Sequence, residues 1–536
     1  MLKLEKPKNE KILLYEPGSK EREELKKKLE EVKSKRAEVP LIINGKEVKT
    51  DKIIKNVSPH DKRTVLADVH IAGEAEIEEA IEASLDAFSK WSDLEWYHRA
   101  SVFMKAADLL AGPYRLEAIA SIMLNLSKTP YEAEIDLAEL VDFWRFNAYY
   151  AQEIFSSQPD QFPGELNRFD WRPLEGFILA IPPFNFFSIG GNLPTAPAIV
   201  GNVSIWKPSR DVAFANYVIM KALMEAGLPR GVINFLPYDT KYSDKLLLHR
   251  EFAGLHFTGS YDTLVNLWKK IASNLEKYKN FPRIVGETGG KDFLIVHEST
   301  DIKEAVTGII RGAFEYQGQK CSALSRLFVA RSIWPSLRDE MVKQLSLLKY
   351  GDVTDFSVFG GALINESAYR NAVSYMEYAK QHPEEYSFVF GGEYSEEKGW
   401  FVYPTVIETN NPKGKLMREE IFAPILTVYV FDDSMYNETL NIIDGATDYG
   451  LTGSIFARDR EAIAKAEKSL RYTAGNFYIN DKPTGAIVGR QPFGGARHSG
   501  TNDKAGSWLN LVRWLNPRAI KENLIPPKDW RRPYMG

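Results

Sequence analysis

The chain has 536 residues, 44% of them hydrophobic and 26% charged, with a formal net charge of −4. That length favours two or three domains with ample buried core, and the charge balance supplies no basic field for nucleic acid or a membrane surface. A single cysteine, Cys321, excludes an intrachain disulfide and fits a reducing compartment.

The N-terminus carries Lys3, Lys6 and Lys8, but the only apolar run that follows is Ile12-Leu13-Leu14-Tyr15. Glu5, Glu10 and Glu16 are also out of place in an organelle transit peptide, so the expected location is cytoplasmic. Residues 20–36 are strongly charged with a thin stripe of Leu25, Leu29 and Val32, which predicts an exposed helix. Ile77, Ile81, Leu85 and Phe88 recur at helical spacing and predict an amphipathic helix over 74–88.

Residues 176–206 contain no Asp, Glu, Lys, Arg or His. Their length would suit a bilayer. Pro182, Pro183, Pro194 and Pro197 break any continuous helix, and the segment reads as strand, turn, short helix and strand. Asn185 inside this run needs a reason, because a buried amide is costly unless hydrogen-bonded. Beyond Lys207 the pattern predicts a helix over 212–226, strands at 231–236 and 254–258, and a helix over 263–275. Strands at 283–285 and 293–296 follow, then a helix from about 301 to 316 with Asp301 near its N-cap. A second αβ series runs from 327 to about 480. Such alternation implies an α/β fold with parallel sheets covered on both faces.

Three strand ends carry polar chemistry. Glu287-Thr288-Gly289-Gly290-Lys291 puts a carboxylate in glycine-rich backbone. Phe257-Thr258-Gly259-Ser260 lies where a helix N-terminus could receive phosphate, and Trp206-Lys207-Pro208-Ser209 ends on a cation and a hydroxyl. The Gly-x-Gly-x-x-Gly fingerprint is absent, and each signal is weak by itself. A lone cysteine is more often a small buried hydrophobe than a nucleophile. The eight histidines show no paired metal spacing, so no metal is expected.

Taken in order, Pro183-Phe184-Asn185-Phe186, Trp206-Lys207-Pro208-Ser209, Phe257-Thr258-Gly259-Ser260, Glu287 through Lys291, Gly318-Gln319-Lys320-Cys321, Glu419-Glu420-Ile421-Phe422-x-Pro424 and Pro492-Phe493-Gly494-Gly495 resemble the aldehyde dehydrogenase superfamily over residues 40–520. Segments 314–323 and 484–493 resemble the members that oxidise L-glutamate γ-semialdehyde, the open form of Δ1-pyrroline-5-carboxylate, to L-glutamate in proline catabolism. A longer amino-acid semialdehyde, such as 2-aminoadipate semialdehyde, is the alternative substrate. A non-catalytic relative is disfavoured by intact Cys321, Glu287, Asn185 and Lys207, and a cysteine hydrolase by the lack of an accompanying histidine motif.

The resemblance implies a Rossmann-type NAD-binding domain (1–160 and 176–290, with an N-terminal helical extension) and an α/β catalytic domain (291–490). Oligomerisation elements at 161–175 and 505–536 would make a homodimer or higher homo-oligomer. Cys321 would be the nucleophile, Asn185 an oxyanion donor and Glu287 the base that activates water. NAD would be held by Lys207, Pro208, Ser209, Thr258, Gly259, Ser260, Glu420 and Phe422. Glu134, Phe186, Ser322, Gly485, Ala486 and Phe493 would bind the small-molecule substrate. Two positions depart from the family pattern. Arg210 stands where many members have an acid, which admits NADP as well as NAD, and Leu264 replaces a small residue on the phosphate-side helix.

Overall fold

The computed structural model describes residues 3–536. Two seven-stranded sheets organise the chain. The first runs in the order Arg283–Glu287, Phe252–Thr258, Phe177–Ile181, Val203–Trp206, Ile233–Phe235, Leu41–Ile43 and Lys46–Val48. Its first five strands are parallel and its last two antiparallel. The central strands Phe-Ile-Leu-Ala-Ile and Val-Ser-Ile-Trp are almost wholly apolar because helices cover both faces.

The second sheet runs Tyr386–Phe390, Thr405–Thr409, Ile425–Phe431, Leu324–Ala330, Asp292–Val296, Thr452–Phe456 and Asn476–Ile479. Only its first strand is antiparallel to its neighbour. A separate strand pair, Glu165–Pro173 with Leu515–Asn523, is mostly solvent-facing. Three strands near the N-terminus, Ala37–Val39, Ile53–Ser58 and Asp61–His70, form a small third sheet that the sequence pattern did not mark.

The predicted helices sit close to their expected places: Lys20–Ser34, Glu74–Ser92, Ala213–Ala226, Tyr261–Ala272 and Ile302–Phe314. Asp301 caps the last of these, its side chain accepting from the Lys303 and Glu304 N–H groups. The uncharged segment folds in the expected order of strand, turn, short helix and strand. Residues Phe187–Ile199 form a single helix that keeps Pro194 and Pro197 inside it. Proline at 197 withholds the N–H that would bond the Leu193 carbonyl. The buried His256 ring meets that carbonyl instead, Nδ1 to O at 2.8 Å. No helix among the described residues is long and apolar enough to cross a membrane.

The sheets are joined by a very short link. The first ends at Glu287 and the second begins at Asp292, so Thr288-Gly289-Gly290-Lys291 is the entire crossing. After the second sheet the chain returns to the same junction. Gly500 bridges to Glu287, and the Thr501 N–H donates to the Gly286 carbonyl at 2.8 Å.

Candidate active site

Cys321 lies at this junction, at the end of a loop with unusual backbone. Tyr316, Gln317 and Gly318 are consecutive left-handed residues, with φ of 49°, 53° and 65°. For the two non-glycine residues this conformation costs energy, and named contacts hold it. Glu132 accepts from the Tyr316 N–H. The Gln317 side chain donates to the Ser127 and Ala362 carbonyls at 3.0 and 2.9 Å. Gln319 Oε1 accepts from the Ile364 N–H at 3.0 Å. A Cβ on Gly318 would collide with the Ala423 carbonyl, so only glycine fits there.

The Cys321 thiol is buried, 8% exposed, and unpaired. Burial pushes its pKa well above the ordinary thiol value, and the neighbouring carboxylates Glu287, Asp292 and Glu420 push the same way. The resting group is therefore a thiol, and a base must take its proton before attack.

Asn185 reaches the loop from the turn before helix Phe187–Ile199. Its Nδ2 donates to the Gln319 carbonyl at 2.9 Å, which fixes the amide plane. The second N–H of that amide and the backbone N–H of Cys321 make no hydrogen bond to protein among the described residues. Two donors are thus left over where the Asn185 turn meets the Cys321 loop. That answers why an amide sits inside an uncharged segment.

Glu287 ends strand Arg283–Glu287. The residue as a whole is partly accessible, yet its Oε1 is buried without a hydrogen-bond partner. Burial, with a smaller contribution from the Glu139 carboxylate, raises its pKa to about 8, while Lys504 opposes the shift. A carboxylate poised near neutrality is suited to proton transfer. It lines a cavity of about 50 Å³ together with Glu139, His256, Phe493 and Lys504, room for a water or two.

Gly289 and Gly290 permit the close approach of the two halves. A Cβ on Gly289 would fall inside the Glu420 carboxylate, and one on Gly290 would strike the Cys321 carbonyl. Glu420 Oε1 accepts from the Gly290 N–H at 3.0 Å, and burial raises its pKa to about 7. Phe422, itself left-handed at φ 61°, meets the Phe184 ring edge-on at 5.8 Å.

The other expected cofactor residues cluster at the carboxyl ends of adjacent parallel strands, where α/β sheets bind ligands. Lys207, Pro208 and Ser209 follow Val203–Trp206; Thr258 ends Phe252–Thr258, with Gly259 and Ser260 next. Ser260 caps helix Tyr261–Ala272, accepting from the Thr263 N–H at 3.3 Å. Lys207 has no carboxylate partner among the described residues, lies 5.2 Å from the Tyr238 ring centre, and is pulled down to about 8 mainly by burial. An unpaired lysine beside an open strand end fits a group that binds ribose hydroxyls. Arg210 turns to Asp239 instead, at 2.7 Å. Leu264 fills the space over Gly286, where a Cβ would collide with it.

On the substrate side, Ser322 Oγ bonds Thr484 Oγ1 at 2.8 Å. The backbone N–H groups of Gly485 and Ala486 have no acceptor among the described residues, and Gly485 is left-handed at φ 94°. Phe493 lines the cavity beside Glu287, and Phe186 abuts the Tyr316 ring at 6.4 Å. Glu134 is not among them. Its carboxylate is wholly buried and spent on Arg115, the Tyr15 hydroxyl at 2.7 Å and the Leu13 N–H at 3.0 Å, where it clasps the N-terminal segment. The acid that does face Glu287 from the same helix is Glu139.

A sequence model of the Aldehyde dehydrogenase family matches residues 46–518. The chain belongs to that family. Aldehyde dehydrogenases similar to it include the mitochondrial Δ1-pyrroline-5-carboxylate dehydrogenase of Dictyostelium discoideum, 48% identical over 99% of this chain and 96% of its own length. The corresponding mitochondrial protein of Homo sapiens is 44% identical over 98% and 94%. A solved structure of the Δ-pyrroline-5-carboxylate dehydrogenase from Mycobacterium tuberculosis bound with NAD superposes with a TM-score of 0.96 at 47% identity, covering 100% of this chain and 99% of that one.

Several residues around this aldehyde dehydrogenase site carried no sequence signal. Glu139, Lys128, Asp136 and Lys504 sit in helical or loop stretches whose charges read as solvated. Lys291 closes the Glu287 motif, but its buried partners Asp292 and Arg326 are likewise invisible to pattern. Arg326 donates to the Lys291 carbonyl at 2.7 Å, Asp292 accepts from the Thr452 N–H at 2.7 Å, and burial lowers Lys291 to about 7.

Proposed function

We propose that this chain oxidises L-glutamate γ-semialdehyde to L-glutamate in proline catabolism, with NAD as hydride acceptor. The observation that carries the chemistry is the meeting of one buried thiol with two spare N–H donors and an orphaned carboxylate. Near-full-length similarity to proteins named for Δ1-pyrroline-5-carboxylate supports the substrate. A longer amino-acid semialdehyde is not favoured on the same ground.

Glu287 takes the Cys321 proton, directly or through water in the adjoining cavity. The sulfur then bonds to the aldehyde carbon, and the oxygen that becomes negative is met by Asn185 Nδ2 and the Cys321 N–H. When bound, NAD accepts the hydride that leaves this carbon. Lys207 and Glu420 would hold the ribose hydroxyls, with Pro208 and Ser209 beside them, Phe422 near the nicotinamide and Thr258-Gly259-Ser260 at the pyrophosphate. Glu287 releases that first proton to solvent through the adjoining cavity, then draws a second from the water that adds to the thioester, and Cys321 leaves as a thiolate as the glutamate product forms. Ser322 and the free N–H groups of Gly485 and Ala486 suit the substrate α-carboxylate, with Phe186 and Phe493 walling its aliphatic chain. Since Asp239 occupies Arg210, NAD is the preferred cofactor and NADP the weaker one.

Residues 1–160 and 176–290 are assigned to cofactor binding and 291–490 to catalysis. The strand pair Glu165–Pro173 with Leu515–Asn523 is assigned to self-association as a homodimer or larger homo-oligomer. Phe162 and Ile525 beside this pair, with Trp530 further along the tail, are strongly exposed. The lone thiol suits the cytoplasm; the Dictyostelium and human relatives are named mitochondrial, and cell fractionation decides between the two. Steady-state assay of the semialdehyde with NAD and NADP, beside Cys321→Ala, tests the whole reading. Turnover by Cys321→Ala, or none by the unaltered chain, would overturn it.

A further inference from the structure

Behind the catalytic groups lies a buried ion pair that the mechanism above does not use. Lys128 is 1% exposed, and its Nζ bonds Asp136 Oδ2 at 2.7 Å. The same ammonium sits 4.3 Å from the ring centre of Phe186 and 4.3 Å from that of Tyr316. Phe186 is the neighbour of Asn185, and Tyr316 opens the left-handed turn that delivers Cys321.

Asp136 completes the arrangement. Its two carboxylate oxygens accept from the Phe187 and Ser188 N–H groups, each at 2.9 Å, and so hold the start of the helix that follows Asn185. One turn earlier on the same helix, Glu132 accepts from the Tyr316 N–H and from the Thr129 N–H at 3.1 Å. The first turns of helix Pro130–Ser156 therefore grip both loops that carry the spare donors.

We infer that Lys128 is a positioning residue for the oxyanion site, acting as a cationic wedge in the angle where the Phe186 and Tyr316 rings meet, their centres 6.4 Å apart and their planes inclined at 61°. An ammonium facing two inclined rings is attracted to both and holds them at a fixed mutual angle. Asp136 balances the charge, so the wedge is tolerated in a dry interior. Phe186 and Tyr316 being fixed, the distance between the Asn185 amide and the Cys321 N–H is fixed with them. Burial lowers the Lys128 pKa, while Asp136 and Glu132 oppose this and Lys320 adds to it. The inference rests on the reading that Asn185 and Cys321 hold the oxyanion.

The test compares Lys128→Met, Lys128→Arg and the double variant Lys128→Met/Asp136→Asn, which leaves no unbalanced charge. The assays are single-turnover acylation with the semialdehyde, KM for the semialdehyde, and NAD affinity by fluorescence titration. Lys128→Met, or the double variant where the single one does not fold, should acylate about 10²-fold more slowly, the scale of one misplaced oxyanion donor. NAD affinity should stay within about twofold, and Lys128→Arg should recover part of the loss. Acylation within threefold of the unaltered enzyme, an equal loss of NAD affinity, or failure of both neutral variants to fold would overturn the inference. Cys321→Ala run in parallel separates the two layers. If it still turns over, the reading of the site fails; if it is dead while Lys128→Met is unimpaired, only the wedge fails.

Discussion

The Asn185 side chain donates to the Gln319 carbonyl at 2.9 Å across 134 positions of sequence, and this bond ties the two halves of the site together. Asn185→Ala removes that tie and one of two oxyanion donors. The expected loss in kcat is about 10²–10³-fold, with NAD affinity little changed. Rapid-mixing measurement of NADH formation checks it, and a loss below tenfold would place the oxyanion elsewhere.

Glu287→Gln keeps shape and removes the base. Acylation should slow, with water left to take the thiol proton, and deacylation should slow further, so intact-mass spectrometry after prolonged mixing with semialdehyde and NAD should find the acyl-enzyme on Cys321. In the unaltered enzyme, deacylation should rise with pH through about 8, because the carboxylate is the active form. The variant should lack that inflection.

The same group has a consequence for stability. Its folded pKa of about 8 stands above the unfolded value of 4.5, so the folded state holds a proton that the unfolded chain has released. The contribution is full below about pH 4.5 and is lost as pH rises towards 8, at about 1.4 kcal/mol per unit. Glu287→Gln carries no such slope. Its melting temperature relative to the unaltered enzyme should therefore climb across this window, as calorimetry at several pH values would read.

Gly289→Ala would drive a methyl group into the Glu420 carboxylate. The expected result is a several-fold rise in KM for NAD, with the Cys321 alkylation rate less affected. An unchanged KM would remove Glu420 from the cofactor contacts.

Glu134→Ala breaks a buried pair with Arg115, whose guanidinium keeps Glu10 at 2.9 Å, so the cost should fall below the ~3–5 kcal/mol typical of a stranded buried charge. It should lower the denaturation midpoint and loosen the N-terminal segment, as limited proteolysis would detect. KM for the semialdehyde should hardly move. Glu139→Gln should show the converse, slower turnover with modest destabilisation.

That contrast explains where sequence reading fell short. Cys321, Glu287 and Asn185 stood out as candidates because short fixed-order motifs surround them, and the βαβ rhythm from 176 to 316 was legible from apolar runs and turn residues. The helix Pro130–Ser156 was not. It carries Glu132, Glu134, Asp136, Glu139 and Asp142, a density that reads as a wet face. Positions 132, 136 and 139 share one face at i, i+4 and i+7, whereas 134 lies two residues away on another. Only the packing of the N-terminal segment on one side and the Cys321 loop on the other assigns each acid its task. Around the prolines at 194 and 197 the order of elements was legible, but the His256 partner that satisfies a freed carbonyl was not, because it is remote in sequence.

The left-handed run at Tyr316-Gln317-Gly318 bears on how the enzyme comes into being. Its two non-glycine residues are unfavourable alone, and the loop rests on Glu132, Ser127, Ala362 and Ile364, drawn from both sides of residues 316–318. A nascent chain that has emerged only as far as the cysteine lacks half of these supports. The thiol therefore takes its place in the site only once synthesis has passed residue 364 and the surrounding layers have closed, so its position matures together with the fold that protects it.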